Sequence, residues 1–139
     1  MTPADLPGPD HMRRMWDNDR TSQALGMSLV SVAPGRAEMT MPVRDDMVNG
    51  HGIGHGGITF TLADSTFAFA CNSHGPATVA HSASIRFHAP VRLGDVLTAT
   101  AVERSHDGRR GVYDVEVRAG DRLVATFEGH ATRLPEEPA

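Results

Sequence analysis

Asp64 is the residue of this sequence whose surroundings point most directly to chemistry. It lies between Phe60 and Phe67 in a stretch that carries no second charge. Burying an unpaired carboxylate among apolar side chains costs about 2–7 kcal/mol on the scale for polar groups. A cost of this kind is typical of a general base or nucleophile, whose pKa burial raises. The alternative is a solvated or capped aspartate on an exposed helix face.

The second feature is a pair of glycines, Gly56-Gly57, about two helical turns before Asp64. Glycines weaken a helix, but they let a ligand approach the backbone N–H groups at the positive end of the helix dipole. Main-chain N–H groups placed in this way can stabilise the oxyanion of a tetrahedral intermediate. The alternative is a tight turn or a hinge.

The spacing of these two features predicts how they are assembled. Gly56 and Asp64 are eight residues apart, which corresponds to about 12 Å along a helix axis. One reacting carbon cannot contact both. If both act on the same carbon, they belong to different subunits, with two such helices antiparallel about a two-fold axis. The sequence therefore predicts a homodimer with two sites at its interface.

The elements that must position these residues are one helix and a set of strands. His55 to Asn72 has apolar residues on every face of a helix, which predicts a buried one. Six segments with strand character surround it, namely 27–32, 36–43, 78–87, 95–104, 111–118 and 123–133. Pro34-Gly35, Asp107-Gly108 and Gly120-Asp121 are placed as turns between neighbouring strands. This order predicts an α+β fold in which a curled antiparallel sheet wraps around one central helix.

Length and composition limit the remaining possibilities. The 139 residues suit a single domain, predicted over 11–134, with a short helix in 11–25 and loose tails at 1–10 and 135–139. A net charge of −4 argues against nucleic acid as the main partner. A single cysteine, Cys71, excludes an intrachain disulfide. The absence of a long apolar run and of a signal pattern at the N-terminus predicts a cytoplasmic protein.

The segment from Asn49 to Ala68 carries a more specific resemblance. It contains His55-Gly56-Gly57 and then Asp64. This pattern resembles the signature of the PaaI-type (phenylacetic acid degradation) thioesterases of the hotdog superfamily. The similarity extends from about residue 25 to residue 134 and includes 86–90 and 94–99. It implies a hotdog fold and hydrolysis of an acyl-CoA thioester, with aryl or hydroxyphenylacetyl groups favoured over medium-chain fatty acyl groups.

The resemblance also implies roles for single residues. In such enzymes the residue matching Asp64 is the base or nucleophile, and the glycine matching Gly56 donates its N–H to the thioester carbonyl. The residues matching Asn49 and His55 position the substrate carbonyl or the water. Gly57 is taken as a further substrate-binding residue. Some relatives hold the water with a hydroxyl on the next strand, for which Ser82 is the first candidate here, with Ser84 second.

Two further implications of the resemblance and one assignment from the sequence itself complete the prediction. Family members are commonly tetramers, built as dimers of dimers. No metal or redox cofactor is implied, and CoA arrives as part of the substrate. Arg109-Arg110 is assigned to a solvated loop, with a contact to the CoA phosphates as the alternative.

Several rival interpretations remain. Cys71 as a nucleophile would need a basic partner, and a core position fits it better. The eight histidines suggest a metal, but His51 and His55 are joined by glycines and form no ligand motif. A hotdog enoyl-CoA hydratase pairs its Asp with a His about five residues on, where this chain has Phe69. A non-catalytic acyl-CoA-binding protein would not need the carboxylate of Asp64.

Overall fold

A computed structural model describes residues 8–135. In chain order the elements are α1 (Asp10–Asn18), α2 (Arg20–Ala24), β1 (Ser28–Ala33), β2 (Arg36–Pro42), a 3-10 turn (Asp45–Met47), α3 (Gly56–Asn72), β3 (Thr78–Phe87), β4 (Val96–Asp107), β5 (Arg110–Ala119) and β6 (Arg122–Arg133). The predicted tails lie largely outside the described residues, and α1 already begins within the predicted N-terminal one. No helix in residues 8–135 is long and apolar enough to cross a membrane.

The six strands form one antiparallel sheet in the order β1-β2-β4-β5-β6-β3. Three hairpins connect neighbouring strands, and each contains a glycine with positive φ, namely Gly35, Gly108 and Gly120. L-residues with a Cβ rarely adopt this conformation, so a glycine is favoured at each of these turns. The three predicted turns are confirmed. The strand β3 follows α3 but lies at the far edge of the sheet, where β6 is its one partner among the strands of residues 8–135.

The helix α3 packs against one face of this sheet, and the core lies between them. Strand residues alternate between this face and the other, as the two-residue period requires. Phe67 is at the centre, with its ring centroid 5.6 Å from Tyr113 and 5.7 Å from Phe127. On the other side of α3, Phe69 lies 6.2 Å from Trp16 of α1, measured between ring centroids. The predicted α+β arrangement of one helix on a curled sheet is confirmed.

Two details of the prediction are wrong. The single helix predicted in 11–25 is two helices, because Asp19 interrupts it and caps α2 by accepting a hydrogen bond from the Ser22 N–H at 3.0 Å. In addition, α3 is not buried on every side within one chain. A stripe at helical spacing, Gly57, Thr61, Asp64, Ser65 and Ala68, is half-buried or exposed. The sheet covers one side of the helix and leaves this stripe uncovered.

Candidate active site

Asp64 lies on the uncovered stripe of α3, about midway along the helix. Its side chain is half-buried, and burial raises the pKa of its carboxyl above the ordinary value. No ion pair is formed by Asp64 within the part of the chain that the structure describes. A carboxylate that lacks a cationic partner and is partly removed from water is a stronger base than one in solution.

A cavity of about 230 Å³ lies beside this carboxylate, between α1, α3 and the start of β3. Its surface is mostly apolar. The lining residues besides Asp64 are Met15, Phe67, Ala68, Cys71, Asn72, Thr78, Val79 and Ala80. A cavity with one carboxylate and otherwise mainly apolar walls suits an apolar group attached to a reacting carbonyl.

Cys71 lines the same cavity but has the properties of a core residue. It is almost completely buried. Burial first, and the negative charge of Asp64 in addition, raise the pKa of the Cys71 thiol to about 12. The thiolate is the nucleophilic form of cysteine, and it is scarce at neutral pH when the pKa is this high. The structure therefore supports the interpretation of Cys71 as a packing residue.

The loop before α3 carries the second half of the candidate site. Isolated bridges of Val48 with Gly54 and of Ile53 with Arg92 hold this loop, and the Gly54 N–H donates to the Val91 carbonyl at 2.7 Å. A Cβ on Gly54 would lie 2.9 Å from the Val91 side chain, so only glycine fits at this contact.

Gly56 is the first residue of α3, and His55 stands before it without capping the helix through its side chain. Among the residues that the structure describes, the N–H groups of Gly56 and Gly57 have no hydrogen-bond acceptor. Two unpaired donors at a helix N-terminus are the arrangement expected for binding a carbonyl oxygen that gains negative charge.

Phe87 covers the Cα of Gly56, a contact that the sequence alone did not indicate. A Cβ at position 56 would lie 2.9 Å from Cζ of Phe87. The ring is nevertheless 56% exposed, and it borders a groove of about 420 Å³ beside Gly54, Gly56 and Thr59. Phe87 falls within the segment 86–90 that carries the resemblance, which was the only signal for it.

Asn49 shapes the same loop. Its side-chain oxygen accepts hydrogen bonds from the N–H groups of His51 at 2.9 Å and Ile53 at 3.1 Å. The Asn49 oxygen therefore holds the loop in shape through these two hydrogen bonds. The side-chain N–H₂ group is left as the donor that a ligand can bind. Asn49 and His55 are both exposed, on the loop that leads into Gly56.

The two predicted serines are placed elsewhere. Gly129 faces α3, because a Cβ there would lie 2.8 Å from the Phe67 ring. Ser82 pairs with His130, the residue that follows Gly129. Because successive strand residues face opposite sides of a sheet, Ser82 lies on the face away from α3, and so does Ser84. The β3 residues beside Asp64 are Thr78, Val79 and Ala80. Within one chain the structure does not bring Ser82 to Asp64.

Asp64 and Gly56 are also kept apart within one chain. The Asp64 cavity and the Gly56 groove have no lining residue in common. Sequence reasoning placed both features on α3 and predicted this separation from the helical rise. It missed Met15, Asn72 and Thr78, which approach Asp64 from α1, from the end of α3 and from β3.

Other candidates contribute less. In residues 8–135 no group of three or more His, Cys, Asp or Glu side chains is arranged to hold a metal ion. Arg109 donates from Nη2 to the Arg133 carbonyl at 2.9 Å and from Nε at 3.3 Å, which ties it to the adjacent strand.

Comparisons with known proteins place this geometry among thioesterases. The family model described as the thioesterase superfamily matches residues 51–126. The acyl-coenzyme A thioesterase PaaI of Escherichia coli is 46% identical over 86% of this chain and 86% of its own length. Human acyl-coenzyme A thioesterase 13 is 38% identical over 71% of this chain and 74% of its own.

A solved structure supports the same relationship. The structure of the E. coli PaaI protein from the phenylacetic acid degradation operon matches with a TM-score of 0.88 and 42% identity, covering 91% of this chain and 92% of that one. This likeness confirms the hotdog fold that the resemblance implied.

Proposed function

Because this chain belongs to the thioesterase superfamily, and within it to the PaaI-type acyl-CoA thioesterases, we propose that Asp64 and the Gly56 N–H act together in hydrolysing an acyl-CoA to a free acid and CoA. The observation that carries the proposal is the pairing of two features. One is a carboxylate with a raised pKa beside an apolar cavity, and the other is a helix N-terminus with unpaired N–H groups beside an open groove.

The chemistry follows from these two features. The thioester carbonyl accepts hydrogen bonds from the Gly56 N–H and from the Asn49 side-chain N–H₂, which withdraws electrons from the carbonyl carbon. Asp64 either removes a proton from the attacking water or attacks the carbon itself. The bond from carbon to sulfur then breaks, and the CoA thiolate takes up a proton. In the covalent route, water releases the acid from Asp64 in a second step.

A second copy of the chain is proposed to complete the site. The strand β3 is an edge strand whose residues from Val79 to Ser84 are exposed on both faces. Beside it runs the uncovered stripe of α3 that carries Asp64. An exposed strand edge is a template for pairing with another strand. A two-fold related copy placed on this surface would bring its Gly56 groove toward the Asp64 cavity, which a single chain cannot do. The tetramer implied by the resemblance, a dimer of such dimers, remains a proposal.

Within this scheme the remaining predicted residues keep their assigned roles as proposals. His55 positions the loop and the substrate carbonyl, and Gly57 provides an unobstructed approach, since nothing lies within 4 Å of its Cβ position. Ser82 lies on the far face of β3 in its own chain, so a role in holding water is the least supported. The cytoplasmic location remains a prediction.

The acyl group is proposed to be aryl, of the phenylacetyl or hydroxyphenylacetyl type, with medium-chain acyl groups as the alternative. Two points support this choice. One relative of known structure comes from a phenylacetic acid degradation operon. The cavity beside Asp64, at about 230 Å³, exceeds the roughly 150 Å³ of an apolar cavity that binds benzene, so one ring with a short linker fits it. A part in phenylacetic acid degradation is proposed on the same grounds.

A panel of CoA thioesters tests the proposal. Purified protein is mixed with phenylacetyl-, hydroxyphenylacetyl-, hexanoyl- and palmitoyl-CoA, and the released thiol is trapped with a chromogenic disulfide. We expect thiol release to be fastest with the aryl substrates and slowest with palmitoyl-CoA.

Two other results would point to the rivals. Tight binding without thiol release would favour an acyl-CoA-binding protein. Addition of water to an enoyl-CoA, followed as loss of the conjugated absorbance, would favour a hydratase. Preferential cleavage of palmitoyl-CoA would contradict the aryl assignment and leave the thioesterase activity intact.

A further inference from the structure

The cavity beside Asp64 adjoins a second, more open cavity, with which it shares two lining residues. The second cavity has a volume of about 360 Å³ and lies between α1 and the turn that follows α3, where His11, Arg14, Asn18 and Gly75 are among its lining residues. Two residues, Met15 and Asn72, line both cavities. These two side chains therefore form the partition between them.

The Asn72 half of the partition is fixed by hydrogen bonds. Its side-chain N–H₂ donates to the carbonyls of Ala68 and Thr78, each at 2.9 Å, and its oxygen accepts from the Thr78 N–H at 2.9 Å. Asn72 thus joins the end of α3 to the first residue of β3. Rotating this amide away would break three hydrogen bonds in a half-buried position, so it does not act as a gate.

The Met15 half is held only by packing. Its backbone position is set by α1, which Met12 and Trp16 anchor in the core, with Met12 1% exposed and Trp16 8% exposed. The Met15 side chain itself is half-buried and ends in a flexible, apolar thioether. It is the part of the partition whose size a substitution can change without breaking hydrogen bonds.

From this arrangement we propose that Met15 sets the depth of the acyl-binding cavity and thereby the length of acyl group that the enzyme accepts. This inference rests on the proposed function, in which the acyl group occupies the cavity beside Asp64. With Met15 in place, the cavity ends after about one ring and a short linker. Without its side chain, the cavity continues into the second one, and a longer chain can extend between α1 and the end of α3.

The test measures kcat/KM for a series of acyl-CoA substrates with Met15→Ala, Met15→Leu and Met15→Trp. Met15→Ala joins the two cavities, so we expect the ratio of kcat/KM for decanoyl-CoA over phenylacetyl-CoA to rise by at least tenfold. Each additional methylene buried in apolar surroundings is worth about fourfold in binding. Met15→Leu keeps the volume and should leave the ratio within about twofold. Met15→Trp shortens the cavity and should reduce turnover of phenylacetyl-CoA more than that of acetyl-CoA.

The outcomes separate this inference from the proposed function. Suppose that the wild-type protein releases thiol, and that Met15→Ala and Met15→Trp both show the same preference for acyl length as the wild type. Met15 then does not set the depth of the cavity, and the inference is wrong. If the wild type hydrolyses no thioester, the proposed function fails instead. Thermal melting identifies any variant that does not fold. If Met15→Ala is unfolded, the opposite prediction for Met15→Trp, with Met15→Leu as its control, decides the question.

Discussion

The first turn of α3 and its middle lie in contrasting surroundings. Around Gly56 the chain is held mainly by backbone contacts, with glycines at the close approaches and an open groove beside it. Around Asp64 the walls are side chains contributed by α1, α3 and β3. The first region offers donors to an oxygen, and the second offers a base and an apolar cavity. In the proposed mechanism one helix thus carries two half-sites that do not meet within one chain, and a second copy of the chain combines them.

The largest effect is expected at Asp64. Asp64→Asn should keep the fold and lower kcat by about 10² or more, because neither general base nor nucleophile remains. Thiol release at saturating substrate measures kcat. Asp46→Asn is the matched control, since Asp46 is an exposed carboxylate paired with Arg44 outside both cavities. Near-normal turnover in Asp64→Asn would contradict the mechanism.

A smaller loss is expected at the Gly56 half-site. Gly56→Ala adds a Cβ that would lie 2.9 Å from Phe87, so the ring or the loop must move, and kcat should fall about tenfold as the N–H is displaced. Gly50→Ala is the control in the same loop, because nothing lies within 4 Å of its Cβ position. The double variant Gly56→Ala with Phe87→Ala should recover part of the loss. No recovery would mean that Phe87 is not the cause.

The combination of two half-sites is tested by mixing variants. Asp64→Asn and Asn49→Ala, each impaired alone, are unfolded together and refolded as a mixture. About half of the dimers are then mixed, and each mixed dimer contains one site with both defects and one intact site, so up to roughly a quarter of wild-type activity should return. Activity equal to the average of the two parents would show that each site is built within one chain.

The raised pKa of Asp64 predicts an effect on stability. A carboxyl whose pKa is higher in the folded state contributes stability below its unfolded pKa, about 3.9, and that contribution is lost as the pH rises through the folded pKa. At pH 7 the charged Asp64 therefore destabilises the fold. Asp64→Asn should melt at a higher temperature than wild type at pH 7, and the difference should shrink toward pH 4. A lower melting temperature at pH 7 would show that other contacts stabilise the charged form.

The smallest effect is expected at Cys71, which lines the Asp64 cavity and has no chemical role in the proposed mechanism. Cys71→Ala should leave kcat within a few-fold, since a thiol whose pKa is about 12 supplies almost no thiolate at neutral pH. The same assay applies, with melting as the check on folding. Loss of activity in a folded variant would identify Cys71 as the nucleophile.

The contrast between the half-sites also explains what the sequence could predict. Gly56, Asp64 and the hairpin glycines could be identified from the sequence, because helical periodicity and turn preferences depend on neighbouring residues. Most of the fold could be predicted from these local patterns. The break at Asp19 was readable as well, because Asp before Arg-Thr-Ser is a helix N-cap pattern. The residues that line the Asp64 cavity could not be predicted from the sequence. Met15 and Thr78 lie 49 and 14 positions from Asp64, and only tertiary packing brings them together.

The position of β3 has a consequence for how the protein is made. This strand leaves the ribosome directly after α3, yet among the described strands its partner is β6, which ends at Arg133, 46 residues after Phe87. At roughly 5–20 residues per second, synthesis of that stretch takes about 2–9 s, and the pairing of β3 with β6 cannot be complete before then. The strand proposed to join two mature subunits is therefore also an unpaired edge during synthesis, and such an edge is a template for the same strand of a neighbouring nascent chain.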